Sequence, residues 1–218
     1  MTGMTDYSAD NWLAYIVGKT AIPSLPTAYV ALFTAVGTDA GTGFTEVSGG
    51  SYARVTTSGA TWNAPSGSQP STLSNAAQIQ FVQATANWGT VIAFGLYDAS
   101  SSGNLLAWDF LGSDPWYPFE CTLASPGVLT AFGITAGSSP TLANGASVVV
   151  SAEYGGSLPT GFSQYTTGTV ASLSADVFNI GVNTSSTGSG LIRQYTQQSI
   201  PNGVQASFGA GTLVISAA

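Results

Sequence analysis

Three carboxylates fall within one stretch of twelve residues, Asp109, Asp114 and Glu120, beside Trp116, Tyr117 and Phe119. Acids next to aromatic rings can form a glycan cleft, with one acid protonating the leaving oxygen and the other serving as base or nucleophile. The competing reading is loop acids at the edge of a β-sandwich. A second set, Asp39, Glu46 and Asp98, could join carbonyl oxygens around calcium, but no EF-hand spacing is present. Other chemistry is excluded by residue type. There is no His, so neither a Ser-His-Asp nor a Cys-His arrangement can be assembled from this chain. Cys121 is the single cysteine and cannot supply a thiolate cage for zinc. No GxxxxGK[ST] occurs, and no GxGxxG opens a helix. The expectation is therefore no catalytic residue, no cofactor and no metal site.

The segment Asp114-Pro115-Trp116-Tyr117-Pro118-Phe119 suits binding better than catalysis. Two prolines stiffen it, so little conformational entropy is lost on docking. Large aromatics are the usual anchors of protein interfaces. Trp116, Tyr117 and Phe119 are therefore candidate interface residues. The alternatives are a loop tucked over its own core, or a sugar platform.

One helix must be positioned near the N-terminus. Asp6 or Ser8 can cap it by accepting a free backbone N–H. Trp12, Leu13, Ile16 and Val17 share one face at helical spacing. Gly18 suits the left-handed C-terminal position, and Pro23 and Pro26 bar continuation. The apolar face either packs on the chain's own sheet or docks on a neighbouring subunit. In the second case Trp12 and Ile16 are its interface residues.

Beyond Pro26 the pattern is strands and turns. Strands are expected at Tyr29–Phe33, Tyr52–Thr57, Gln78–Phe81, Thr90–Tyr97, Leu105–Phe110, Val128–Ile134, Ser147–Ala152, Val177–Val182, Ile192–Thr196 and Thr212–Ser216. Asp98–Asn104 reads as the tip of a long hairpin. Gly155-Gly156 is either a domain hinge or an ordinary turn, and Thr184–Gly190 is loop-like. The glycines of Glu46–Tyr52 suit a turn with positive φ. Trp108 and Phe94 are expected in one core. The fold class is all-β: an antiparallel, jelly-roll-like β-sandwich with one short N-terminal helix and an additional β-region in the second half.

The composition narrows the function further. Only 6% of the 218 residues are charged and the net charge is −7, where ordinary soluble domains are about a quarter charged. Lys19, Arg54 and Arg193 are scattered singly. No basic stripe is available to neutralise phosphates, so neither nucleic acid nor an anionic membrane is an expected partner. No apolar run approaches the roughly 18 residues of a membrane span, and no signal peptide is expected. The absence of a disulfide framework suits folding in a reducing host cytoplasm. Strand edges without Lys guards invite pairing, so a homo-oligomer, dimer or trimer, is expected.

Several segments together resemble a small β-rich structural family of tailed double-stranded DNA bacteriophages, variously tail-fibre-like or capsid cement. They are Tyr29–Ala40 (YVALFTAVGTDA), Glu46–Arg54 (EVSGGSYAR), Asn87–Ala99 (NWGTVIAFGLYDA) and Gly103–Trp108 (GNLLAW). Ser207–Ser216 (SFGAGTLVIS) is similar to that family's final hairpin. The compact family needs only a short connection after Trp108, whereas here a long stretch intervenes. The expected organisation is an N-terminal helix or arm at 1–20, a β-sandwich core at 21–112 plus 199–218, and an inserted or second β-region at 113–198. The resemblance implies a virion structural protein. The leading expectation is a capsid cement or decoration protein on the capsid exterior, binding across neighbouring copies of the major capsid protein. The alternative is a tail-fibre or receptor-binding protein that recognises host surface glycan. Neither involves an enzyme reaction.

Overall fold

A computed structural model describes residues 3–21, 27–67, 71–112, 115–133, 142–152, 157–174 and 177–217. Pro23, Pro26, Asp114, Ile134 and Gly155-Gly156 lie outside the described residues. The chain divides into two compact units. Unit 1 comprises Met1–Leu111 and Gln197–Ala218, and unit 2 comprises Gly112–Thr196.

Unit 1 opens with β1 (Gly3–Met4) and α1 (Asp6–Ile16). Strands β2 (Tyr29–Ala35), β3 (Thr45–Glu46), β4 (Val55–Thr56), β5 (Ser71–Ser74), β6 (Ile79–Gln83), β7 (Gly89–Val91), β8 (Ala93–Tyr97) and β9 (Leu105–Phe110) follow. One antiparallel sheet runs β1-β9-β8-β2-β3, with β4 also on β2. Both of its faces are apolar, so its central strands read as nearly continuous hydrophobic runs. Val30, Leu32, Phe94 and Leu96 point into the main core of the unit. Trp108 pairs with Gly95 and not with Phe94, which puts it on the opposite face, 5.0 Å from the Phe44 ring. Phe94 and Trp108 therefore serve different layers, because residues one apart in register point oppositely.

Several element bounds differ from the sequence pattern. The helix cap is Thr5, whose hydroxyl accepts from the Ser8 N–H at 3.4 Å; Asp6 and Ser8 lie inside the helix. Gly18 does take positive φ (72°) after it. The apolar run Thr90–Tyr97 breaks at Ile92, because its two halves join different sheets. Of Tyr52–Thr57, only Val55–Thr56 is strand.

Unit 2 holds β10 (Tyr117–Cys121), β11 (Leu129–Ala131), β12 (Ser147–Ser151), β13 (Thr167–Thr169), β14 (Ala171–Ser174), β15 (Val177–Asn179) and β16 (Gly188–Gln194). They form one antiparallel sheet in the order β13-β12-β16-β10-β11-β15-β14. Its two edge strands are separated in the chain by Val170 alone, so the sheet must curl back on itself. Phe119, Leu129, Val148, Val150, Phe178 and Ile192 fill the interior. β16 begins inside the glycine-rich stretch expected to be loop. Its glycines permit close approach: a Cβ on Gly190 would lie 2.7 Å from the Ser151 carbonyl and 2.8 Å from the Phe119 ring.

The chain then returns to unit 1 as β17 (Gln198–Ile200), β18 (Gln205–Phe208) and β19 (Val214–Ala217). These pair antiparallel with β7, β6 and β5 respectively. Two distant segments thus run beside each other as one long, broken ribbon. Its apolar side, including Ile79, Phe81, Ile200 and Leu213, closes the main core. β18 and β19 do not pair with each other as the expected final hairpin; each finds its partner in the 71–83 segment. Asn75 holds the turn between them. It is fully buried, and its side chain donates to the carbonyls of Ala77 (2.8 Å) and Gly209 (2.7 Å) while accepting from the Leu213 N–H (2.9 Å). Leu111 bonds to Ile92, and Gln198 pairs with Val91. The chain therefore leaves unit 1 and comes back to it at one place.

Candidate functional site

The most built polar constellation lies in unit 1, on the segment Glu46–Arg54. Gly49, Gly50 and Ser51 all carry positive φ, which makes the tight turn that returns Tyr52 and Arg54 toward Glu46. A Cβ on Gly50 would lie 2.8 Å from the Ala86 nitrogen, so this turn also requires glycine for space. Arg54 forks onto the Glu46 carboxylate, Nε to Oε1 at 2.9 Å and Nη2 to Oε2 at 2.7 Å. Its Nη1 donates to the carbonyls of Ala99 (2.9 Å) and Ser102 (2.7 Å). Its guanidinium lies 3.4 Å from the centre of the Tyr97 ring, a stacked cation–π contact. Only 7% of the Arg54 side chain is exposed. Burial alone would lower its pKa, but the Glu46 hydrogen bond and charge carry it above the ordinary value.

Arg54 thus pins the 98–104 loop to the sheet. The loop is stiffened from within: the Asp98 carboxylate accepts from the Asn104 backbone N–H (2.7 Å) and side-chain amide (2.8 Å). Above this floor opens a cleft of about 270 Å³ whose lining includes Tyr7, Gly41, Arg54, Tyr97, Ser102 and Asn104. The guanidinium has five N–H groups, four of which are engaged as above. The cleft is therefore rich in hydrogen-bonding groups and carries no uncompensated charge at its floor. That chemistry suits hydrogen-bonding contact with a neutral, hydroxyl-bearing group.

Tyr52 supports the same cluster from the core side. Its hydroxyl accepts from the Leu32 N–H at 2.9 Å and donates to Glu46 at 3.0 Å. Burial pushes its pKa well above the ordinary tyrosine value; the Leu32 N–H opposes this and the Glu46 charge adds to it. Tyr97 is raised by burial too, against the pull of Arg54. A raised folded-state pKa means stability is complete below the unfolded value of about 10 and is lost as pH rises beyond it. Unit 1 is thus expected to melt progressively lower above about pH 10. In Tyr52→Phe that alkaline fall becomes shallower, at a neutral-pH cost of about 1–2 kcal/mol for the lost hydrogen bonds. Parallel melting profiles for the two proteins between pH 9.5 and 11.5 would refute this.

Of the candidate carboxylates, Asp114 lies outside the described residues. Asp109 belongs to unit 1 and Glu120 to unit 2. Asp39 accepts from the Trp108 indole at 3.2 Å, Glu46 is bound to Arg54, and Asp98 to Asn104. Among the described residues no cluster of three His, Cys, Asp or Glu could hold a metal ion. Cys121 is buried and its thiol pKa is raised by burial.

The candidate interface residues part company. Trp12 and Ile16 are 54% and 60% exposed on α1. Trp116 is half-buried with the Arg193 guanidinium 4.4 Å from its ring centre. Tyr117 is half-buried on β10. Phe119 is 1% exposed, packed against Phe162 in the interior of unit 2, so its ring serves that core. The reason is strand alternation: β10 turns Phe119 inward and Pro118 and Glu120 outward. The sequence marked Glu46–Arg54 as a glycine-rich turn within the family resemblance and Glu46 as a candidate calcium ligand, and it did not pair Glu46 with Arg54.

No curated protein matches the chain. One family model, described as Podophage GP4 fiber I protein gp80, matches residues 3–114. That match runs over the first segment of unit 1, including β1 to β9 and the Glu46–Arg54 constellation.

Proposed function

The chain belongs to the podophage GP4 fiber I protein gp80 family, and we propose that it is a component of a podophage tail fibre that contacts glycan on the host surface. The family match carries this reading. It takes the chain to be a phage structural protein of the virion and favours the tail fibre, the second of the two expectations from the sequence, over the leading one, a capsid cement or decoration protein. The cleft beside Arg54 supplies the chemistry for glycan contact. Tyr7, 45% exposed at its margin, offers an aromatic face, and Ser102 and Asn104 offer hydroxyl and amide groups. The rigid 98–104 loop limits the ordering cost of binding.

Gold-labelled antibody against this chain, applied to intact virions, is expected to decorate the tail and leave the head bare. Label spread over the head would instead support a cement bound across major capsid proteins and end the fibre reading. For the cleft, Tyr7→Ala is expected to lower binding of purified protein to host surface polysaccharide at least tenfold, with the melting temperature unchanged. Wild-type protein that fails to bind that polysaccharide removes the glycan assignment while leaving the fibre assignment standing.

A further inference from the structure

The cleft beside Arg54 holds two polar groups whose polarity cannot invert. The first is a donor. Arg54 is 7% exposed and lines the cleft. Its Nε hydrogen, both hydrogens of Nη1 and one of Nη2 are committed to Glu46, Ala99 and Ser102. The second hydrogen of Nη2 remains, and a guanidinium never accepts. The second group is an acceptor. Asn104, also on the lining, donates from Nδ2 to Asp98 Oδ2 at 2.8 Å. A carboxylate only accepts, so the amide keeps its nitrogen toward Asp98 and leaves its oxygen, Oδ1, for a donor. Between them Ala40, whose side chain is a methyl group, adds apolar surface to the same cleft.

We infer that the cleft takes the acetamido group of an uncharged, N-acetylated sugar. This deepens the glycan reading above and rests on it. The ligand's amide carbonyl accepts from Arg54 Nη2, its amide N–H donates to Asn104 Oδ1, and its methyl group lies against Ala40. A lone hydroxyl can reach the same polar groups but brings no methyl. A ligand carboxylate is disfavoured. The Arg54 charge is already matched by Glu46, 2.7 Å from Nη2, and Asp98 backs Asn104, so an added anion meets two carboxylates and no free cation. Size agrees with a substituent rather than a whole sugar. The cleft holds about 270 Å³, below the roughly 300–1,000 Å³ of pockets that enclose a complete small ligand. The sugar ring therefore stays at the margin with Tyr7. Both polar groups are fixed before the ligand arrives, Arg54 by its four bonds and Asn104 by Asp98, so little ordering is lost on binding.

NMR titration of the isotope-labelled full chain tests it. The probes are N-acetylglucosamine and N-acetylgalactosamine, with glucose, galactose and glucuronic acid as controls. The two acetamido sugars are expected to bind about tenfold tighter than their parent hexoses, the worth of one net hydrogen bond. Glucuronic acid is expected to bind no better than glucose. The shifted amide signals should centre on Ala40, Gly41 and Ser102–Asn104. Ala40→Leu places a larger side chain in the cleft from an exposed position. It is expected to abolish the preference with the melting temperature unchanged. Equal binding of acetamido and parent sugars overturns the inference, as does glucuronic acid bound as tightly as N-acetylglucosamine. So do signals that shift only in unit 2, or a preference that survives Ala40→Leu. A chain that binds host polysaccharide but shows no acetamido preference overturns this inference and leaves the glycan reading standing. A chain that prefers acetamido sugars at these residues but ignores host polysaccharide supports the subsite and removes host polysaccharide as its source.

Discussion

Ending the chain at Thr196 is expected to unfold unit 1 and leave unit 2 folded. The lost segment supplies β17, β18 and β19, the whole second strand of the ribbon that closes the unit 1 core. With it go the fully buried Leu213 and the 2%-exposed Ile200, together with the packing of Phe208 and Ile215. Truncating a single buried aliphatic side chain costs about 2–5 kcal/mol. A whole domain is stable by only about 5–15 kcal/mol. Removal of two such residues and three rows of ladder hydrogen bonds therefore exceeds what unit 1 can tolerate. Unit 2 draws its core from Phe119, Leu129, Val148 and Ile192, none of which is touched. Limited proteolysis followed by mass spectrometry should recover a resistant fragment near 112–196 and rapid cleavage within 27–111. Native-like tryptophan emission from Trp88 and Trp108, with cooperative unfolding of the truncated chain, would contradict the argument.

Asn75→Asp is expected to be the most damaging near-isosteric change in unit 1. The amide nitrogen now donates to two carbonyl oxygens, Ala77 and Gly209, inside the protein. A carboxylate would turn acceptor against acceptor at both positions, where the side chain is fully buried. Each buried group left unsatisfied costs about 1–3 kcal/mol, more where charge is involved. The loss is thus about 3 kcal/mol or greater, read as a lower urea midpoint with unchanged slope. Burial among carbonyls favours the protonated acid, which can donate to one of them. The deficit should accordingly shrink as pH falls from 7 to 5. A midpoint close to wild type at pH 7 would show that the 209–213 turn is held by something other than Asn75.

Much of the local structure was legible along the chain. The alternation in Gln78–Phe81 and the apolar runs at Tyr29–Phe33 and Leu105–Phe110 mark strands that are present within a residue or two. Gly18 ends the helix where its conformational freedom suggested. Errors came where a local pattern has two three-dimensional solutions. Thr90–Tyr97 reads as one strand but serves two sheets. Gly188–Gly190 reads as loop, yet glycine there admits close packing within a strand. Asp114–Phe119 reads as a stiff loop, either docking on a partner or tucked over its own core, while Tyr117–Phe119 belong to a central strand.

The candidate site was less visible because it depends on pairs distant in sequence. Arg54 looked like one of three isolated cations. Only the fold brings it to the carbonyls of Ala99 and Ser102 and over the Tyr97 ring, and only then does it become a neutralised, buried post beneath a cleft.

Residue types alone determined that the chain is β-rich, sparsely charged, without histidine and with a single cysteine, since composition and short-period patterning are properties of the chain itself. Tertiary structure alone decided which strands meet, which face each ring occupies, and that α1 stays uncovered. A period of two says which side chains share a face, but nothing about what that face will touch. Pairings such as that of Phe208 with Ile79 are selected by closing a long loop onto a complementary core.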